Sequence, residues 1–425
     1  SPMHEDEPFG PCPVAPAILY PIVKDGERVF PMARAVEAYQ SEVVVKDPAI
    51  LDIAAEVAFK PLMKVTQDYP RDVLSFEEAI VPPEGWKLKS LNRKSSAGYK
   101  YRHYVTPTTP GKVAFLGKEG DVDFTRPALN VVREDVESII THAKNGVRLP
   151  HFCVDFLKDE LRPLEKVEAV KTRMISGTEL DYTIAVRMYF GAFNAAMLAT
   201  PIVNGMAPGI NHYTQWGELA TRLIAKGGAV FDGDFSRFDA SEQPWVHMRI
   251  LDVINKWYAA NGSNPEDDKV RAVLWDDLIH SVHITGDSSS HGQLVQWHKS
   301  LPSGHPLTTV VNSMYSLLSL TACYIHLTGD TKDMWEHVFI NTFGDDNITG
   351  VDDSVKEVFN QVTVAGAMKD LFDMTYTAGS KDGKLVPYTD IYNVTFLKRS
   401  FLRDEETMDI IGSAPCLDWV GPLAK

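Results

Sequence analysis

Val338-Phe-Ile-Asn-Thr-Phe-Gly344-Asp345-Asp346-Asn347-Ile-Thr-Gly-Val351 decides the reading of this chain. Val338 to Phe343 and Ile348 to Val351 are β-prone runs around Gly344–Asp345–Asp346–Asn347, so the stretch reads as a hairpin with acids at its tip. Alone, the turn says little. On the order of one chain in ten of this length holds Gly-Asp-Asp by chance, and turns favour Asp and Gly anyway.

Working outward, Ala229 to Phe235 reads as a short apolar strand carrying Asp232 and Asp234. From Ser241 the pattern turns helical. Ser241 can cap, Pro244 suits the first turn, Trp245, Met248, Leu251, Ile254 and Tyr258 recur at helical spacing, and Gly262 ends it. A second helix runs from about Thr308 to Leu327 and stops at Gly329. Asn312, Ser313, Ser316, Ser319, Thr321 and His326 interrupt its apolar run, which favours a buried helix over a membrane span. Strand, helix, helix, hairpin is the order of an α+β fold, an antiparallel sheet backed by helices that would bring both acidic tips together.

Converging Asp234, Asp345 and Asp346 would be costly without a cation, because like charges at close range repel. Oxygen ligands holding a pair of divalent ions, Mg2+ or Mn2+, resolve that cost, and two such ions suit phosphoryl transfer. Asp232 rivals Asp234, since alternation puts both on one face. Asp239 closes the run Asp234-Phe-Ser-Arg-Phe-Asp239, and acids near a helix start are also stabilised by its dipole. In Leu301-Pro-Ser303-Gly304-His-Pro-Leu-Thr308-Thr-Val-Val-Asn312, a Ser-Gly loop leads into a helix with Thr308 and Asn312 one turn apart.

The 425 residues carry a formal net charge of −15, which argues against a generally basic nucleic-acid binder but not against a local basic groove. Positive charge gathers in Phe156-Leu-Lys158-Asp-Glu160-Leu-Arg162-Pro-Leu-Glu165-Lys166-Val-Glu-Ala-Val-Lys171-Thr-Arg173. Lys158, Arg162 and Lys166 lie four apart, which also fits a solvated helix face paired with Glu160 and Glu165. Lys171 and Arg173 alternate as on one strand face. Cys12, Cys153, Cys323 and Cys416 show no metal spacing and fit free thiols in a reducing compartment. The serine at position 1 fits a processed or trimmed product. Gly286-Asp-Ser-Ser-Ser-His-Gly292 reads as a polar hairpin tip rather than a catalytic triad.

Together these segments resemble the palm motifs of picorna-like viral RNA-dependent RNA polymerases. Motif A resembles Asp234 to Ser241, motif B Pro302-Ser303-Gly304 through Asn312, and motif C Phe343 to Asp346. Phe156 to Arg173 resembles motif F, Ser95-Ser96-Ala97-Gly98-Tyr99 motif G, Met374 to Lys381 motif D, and Phe396-Leu397-Lys398-Arg399 motif E. The resemblance implies a right-hand polymerase with fingers and an antiparallel-sheet palm, the thumb largely absent. It divides the chain into fingers (1–190), palm (191–283), a finger hairpin insertion (284–300), palm again (301–399) and the start of a thumb (400–425).

By the same resemblance Asp234, Asp345 and Asp346 would hold two metal ions, with Lys381 a general acid for the leaving pyrophosphate. Asp239, Ser303, Thr308 and Asn312 would recognise the ribose. Lys158, Arg162, Lys166, Lys171 and Arg173 would bind the triphosphate; Ser95, Ser96, Gly98, Lys398 and Arg399 would contact template and primer. Expected partners are template and primer RNA, ribonucleoside triphosphates, a genome-linked protein primer and further copies of the chain. The expected location is membrane-associated replication complexes in the host cytoplasm. A reverse transcriptase, a two-metal phosphohydrolase and a catalytically silent RNA-binding module are the competing readings. Asp239 with Asn312 opposes the first, and the motif F cations oppose the second.

Overall fold

Four antiparallel strands form the sheet at the centre, in the order Val338–Phe343, Asp346–Val351, Ala229–Phe235, Tyr376–Thr377. The computed structural model describes residues 13–44, 46, 48–118, 120, 122–260, 262, 264–286, 292–379, 384–404 and 410–412. Alternation sorts the strand side chains into two cores. Phe231, Ile340 and Val351 face one core, with the helices Thr308–Thr328 and Gln361–Phe372 packed against each other behind the sheet. Val230, Phe339 and Ile348 face the other, beneath the helix Trp216–Ile224. Gly350 lets that helix close in, since a Cβ there would lie 2.2 Å from the Leu223 carbonyl oxygen. Asp232, Asp234 and Asp346 share the Val230 face, at the end of the sheet next to the Gly344 turn.

The hairpin is tighter than its composition suggests. Phe343 pairs with Asp346 and Thr342 with Asn347, so only Gly344 and Asp345 form the loop. Gly344 has φ +62, which glycine adopts without penalty at the first position of a two-residue turn. The apolar helix ends at Gly329 as expected, and 89% of its most apolar window is buried, as befits a core helix. The other helix starts later than its caps imply. Phe238–Ser241 is a separate turn of helix and the long one is Pro244–Ala259 with Gln243 at its N-cap. Ser241 Oγ donates instead to the Phe238 carbonyl, and Met248 is exposed.

A second sheet of four strands runs in the order Met174–Gly177, Phe152–Leu157, Val282–Thr285, Gln293–Gln296. Its last two strands pair antiparallel around the expected hairpin, whose tip residues 287–291 lie outside the described residues. The N-terminal helix Pro31–Glu37 packs on this sheet, and Tyr39 stacks on Trp297 at 4.2 Å between ring centroids. Cys153 and Cys323 are free, buried thiols. The divisions placed at 190, 283 and 399 fall inside the helix Leu180–Ala199, the strand Val282–Thr285 and the strand Arg399–Arg403.

Candidate active site

Asp234, Asp345 and Asp346 each present a carboxylate oxygen, and these lie within 4.8 Å of one another. Burial and the charge of Asp345 push Asp234 up to about 6. Burial, then Asp345 and Asp234, pushes Asp346 up to about 7. Asp345, exposed at the hairpin tip, is raised too. Three hard oxygen donors that resist ionising side by side fit a divalent-cation site, where the cation would replace the protons.

The polar residues that interrupt the apolar helix build this corner. The Gly344 amide donates to Ser313 Oγ at 2.8 Å, Ser316 Oγ donates to the Gly344 carbonyl, and Thr342 Oγ1 donates to the Ser313 carbonyl at 2.8 Å. Asn347, fully buried, donates through Nδ2 to the carbonyls of Gly233 and Asp345 at 3.1 and 3.2 Å, and accepts from Tyr376 Oη at 2.6 Å. It ties the turn carrying Asp345 to the strand carrying Asp234. Only glycine fits at 233, because a Cβ would lie 1.9 Å from the Tyr376 hydroxyl.

Asp232 has a different use. Its carboxylate is buried and meets donors only: the Thr395 amide at 2.9 Å, the Gly379 amide at 3.3 Å, Thr395 Oγ1 at 3.4 Å and Gln361 Nε2 at 3.5 Å. Of the two rivals on one strand face, Asp234 reaches the other acids and Asp232 anchors neighbouring loops.

Asn312 Nδ2 donates to Asp239 Oδ1 at 2.9 Å. Burial pushes Asp239 up to about 6, with the charge of Asp345 adding and the Asn312 hydrogen bond opposing. Asn312 Oδ1 is buried with no partner among the described residues, an acceptor waiting for a donor. Ser303 and Thr308 do not join this pair. Ser303 Oγ accepts from the Ser176 amide at 3.1 Å, while Thr308 Oγ1 donates to the carbonyls of His305 and Pro302 at 2.8 and 3.0 Å. Both hold the Ser-Gly loop, and Gly304 lies so close to Ser176 that a Cβ would sit 2.2 Å from its carbonyl oxygen.

The basic stretch is not one helix face. It runs as a strand Phe152–Leu157, a turn, a strand Leu161–Pro163 and a short helix Leu164–Glu168. Glu160 gathers its cations. Arg173 binds it through Nε at 2.6 Å and also through Nη2, Lys158 lies at 3.1 Å and Arg162 at 3.6 Å. Arg173 first, then Lys158, holds the Glu160 carboxyl at about 2. Lys166 sits 3.3 Å from Glu165. Arg162, Lys166, Lys171 and Arg173 line a cavity of about 650 Å³ together with Asp239 and Asp345; Lys158 does not.

The Viral RNA-dependent RNA polymerase family model matches residues 3–411. The chain belongs to that family. It is 33% identical over 425 residues to the replicase polyprotein of acute bee paralysis virus, covering 95% of this chain and 21% of that protein. To the replicase polyprotein of cricket paralysis virus it is 31% identical over 399 residues, 89% of this chain and 22% of that one. The chain thus spans about a fifth of the length of these curated relatives. Among solved structures, the sicinivirus 3Dpol RNA-dependent RNA polymerase matches with a TM-score of 0.76 at 23% identity, over 95% of this chain and 78% of that one. The fold is accordingly that of a right-hand polymerase, and the central sheet is its palm.

Ser95 and Ser96 line a second cavity of about 980 Å³ that this polymerase fold opens between Phe156, Ile175, Arg187 and Gly304. Their loop wraps a residue the sequence did not single out. Lys112 is buried, and its Nζ donates to the Ser96 carbonyl at 2.6 Å, the Ser95 carbonyl at 3.3 Å and Ser95 Oγ. Burial pushes its ammonium down to about 8. Gly98 is instead a packing position, with φ +93 and a Cβ that would lie 2.6 Å from Glu179 Cα. Leu397 and Lys398 form the two-residue loop between Phe396 and Arg399, both with φ above +50. The charge of Lys398 acts on Asp346, and Arg399 lies 6.0 Å from the Tyr213 ring. Lys381 lies outside the described residues.

Proposed function

We propose that this chain synthesises RNA on an RNA template by two-metal nucleotidyl transfer, replicating a positive-strand viral genome. The observation that carries the reading is the meeting of Asp234 with Asp345 and Asp346 at the end of the palm sheet. In the reaction the 3′-oxygen of the growing strand bonds to the α-phosphorus of a ribonucleoside triphosphate. The bond from that phosphorus to the bridging oxygen breaks, pyrophosphate leaves, and the hydroxyl proton passes to solvent.

Magnesium or manganese ions bound by Asp234, Asp345 and Asp346 would supply Lewis-acid activation of the 3′-hydroxyl and neutralise the leaving group. The chain's own residues do the rest. Asn312 Oδ1 accepts from the ribose 2′-hydroxyl while Asp239 fixes the amide's orientation. Arg173, Arg162, Lys166 and Lys171 receive the triphosphate in the 650 Å³ cavity. The Ser95–Ser96 loop and the Lys398–Arg399 turn guide template and primer. In this reading the fingers extend to the end of the Leu180–Ala199 helix and the palm follows, interrupted by the Val282–Gln296 hairpin.

Three further parts of the reading rest on the motif resemblance alone: priming by the tyrosine of a genome-linked protein, proton donation by Lys381, and work at membrane-associated sites in the host cytoplasm. The test is primer extension on a homopolymeric RNA template, wild type against Asp345→Ala, with and without a chelator. Extension should need divalent metal and vanish in the variant. Synthesis that survives Asp345→Ala would defeat the metal assignment.

A further inference from the structure

Two non-glycine residues lining the 650 Å³ cavity hold left-handed backbone, Val170 at φ +52 and Arg237 at φ +55. Strained backbone of this kind persists where the surroundings fix it, and it gathers at functional sites. Val170 is buried and turns the chain toward Lys171. Arg237 is exposed and stands midway between Asp234 and Asp239, where a glycine would adopt the same backbone freely.

Of the other lining cations, Arg173 is paired with Glu160 through Nε and Nη2, Arg162 lies beside the same carboxylate, Lys166 lies beside Glu165 and Arg34 Nη1 donates to the Ala169 carbonyl at 2.8 Å, which leaves Lys171 and Arg237 without an ion pair or side-chain hydrogen bond among the described residues. Among the described residues the Arg237 guanidinium makes no ion pair and donates no hydrogen bond. An arriving anion meets it with no internal partner to displace. Arg237 and the Arg162–Arg173 stretch thus bring cations from two separate segments to one cavity, which Asp239 and Asp345 also line.

We propose that Arg237 is a binding residue for the β- and γ-phosphates of the incoming nucleotide, the part that departs as pyrophosphate. Its planar fork matches two phosphate oxygens at once. This rests on the polymerase reading above, which supplies the polyphosphate ligand.

Arg237→Gly removes the guanidinium and relieves the backbone, so the variant should melt no lower than wild type. Arg237→Asn, a residue that tolerates positive φ, serves as a second variant. Calorimetry with inorganic tripolyphosphate on the full chain should show about ten-fold weaker binding in both variants, and primer extension a similar rise in KM for all four nucleotides. Arg222→Ala, which removes an exposed charge from another helix, should change neither. Equal tripolyphosphate affinity in wild type and both variants overturns the proposal, as does a loss that Arg222→Ala reproduces. Failure of the polymerase reading shows separately, as wild type that extends no primer; the tripolyphosphate arm then decides Arg237 alone.

Discussion

Asn312 reaches from the palm helix to Asp239 across 2.9 Å, and the pair leaves one buried amide oxygen with no donor among the described residues. Such an oxygen costs free energy until a donor arrives, and a ribose 2′-hydroxyl is the donor that distinguishes RNA precursors from DNA precursors. A site built for a hydroxyl rejects its absence far more strongly than an apolar pocket rejects an extra group. Asn312→Ala should therefore cut the preference for ribo- over deoxyribonucleotides by roughly a hundred-fold. The ratio of kcat/KM for ATP and dATP measures it. An unchanged ratio removes Asn312 from ribose recognition.

Stability of the metal-free chain should fall as pH rises from about 4 to about 7. Burial and mutual repulsion raise Asp234 to about 6 and Asp346 to about 7 from an ordinary value of 3.8. For a carboxyl whose folded value is raised, the unfolded chain gives up its proton first. Folding is then penalised progressively from the unfolded value up to the folded one, and the penalty is complete above it. Magnesium or manganese cancels it. The metal-induced rise in Tm should be small at pH 5 and several degrees at pH 8, on the order of 1–3 kcal/mol. A metal-induced shift independent of pH would place the cation elsewhere.

Much of this was legible in the residues because order and alternation are local properties. The strand ending at Asp234, the hairpin at Gly344 and the helix stopping at Gly329 follow from short-range rules of polarity and turn chemistry. The polar residues in the apolar helix also showed, but not their use: Ser313 and Ser316 bind a turn about thirty positions later, which no window reveals. Asn347 looked like part of the turn, and only the register shows it clamping Gly233. Thr308 and Asn312 share a helix face by spacing. The loop at 302–305 nevertheless takes the Thr308 hydroxyl, a contest between tertiary partners that spacing cannot judge. Lys112 gave no signal, since a lysine that burial will trap beneath a loop looks like any surface lysine.

Arg173 grips Glu160 through Nε and Nη2 and lines the same cavity as Asp239 and Asp345. Its charge is held in place rather than free to wander, so nucleotide phosphates meet a preorganised cation. Arg173→Ala should raise KM for nucleotides about ten-fold or more, the loss of a charge-assisted hydrogen bond. Glu160→Gln should also raise KM, by loosening Arg173, although it removes a negative charge from near an anion site. If Glu160→Gln instead lowers KM, the carboxylate competes with the triphosphate and does not position the arginine.

Asp232 and Asp234 offer a direct contrast on one strand face. Asp232 receives the amides of Gly379 and Thr395 with Gln361 and the Thr395 hydroxyl beside them, and all four are donors. Asp232→Ala leaves buried donors without an acceptor and should destabilise the chain by about 2–4 kcal/mol. Asp232→Asn should recover little, because its NH2 would point at other N–H groups. Asp234→Ala should do the reverse. It removes a crowded charge, so the metal-free chain at pH 8 should melt at least as high as wild type while primer extension is lost. Thermal melts of the three variants without metal, run beside extension assays with it, separate the two roles. Equal destabilisation by Asp232→Ala and Asp234→Ala would mean that the acids share one structural task, and the division between anchor and metal ligand would fall.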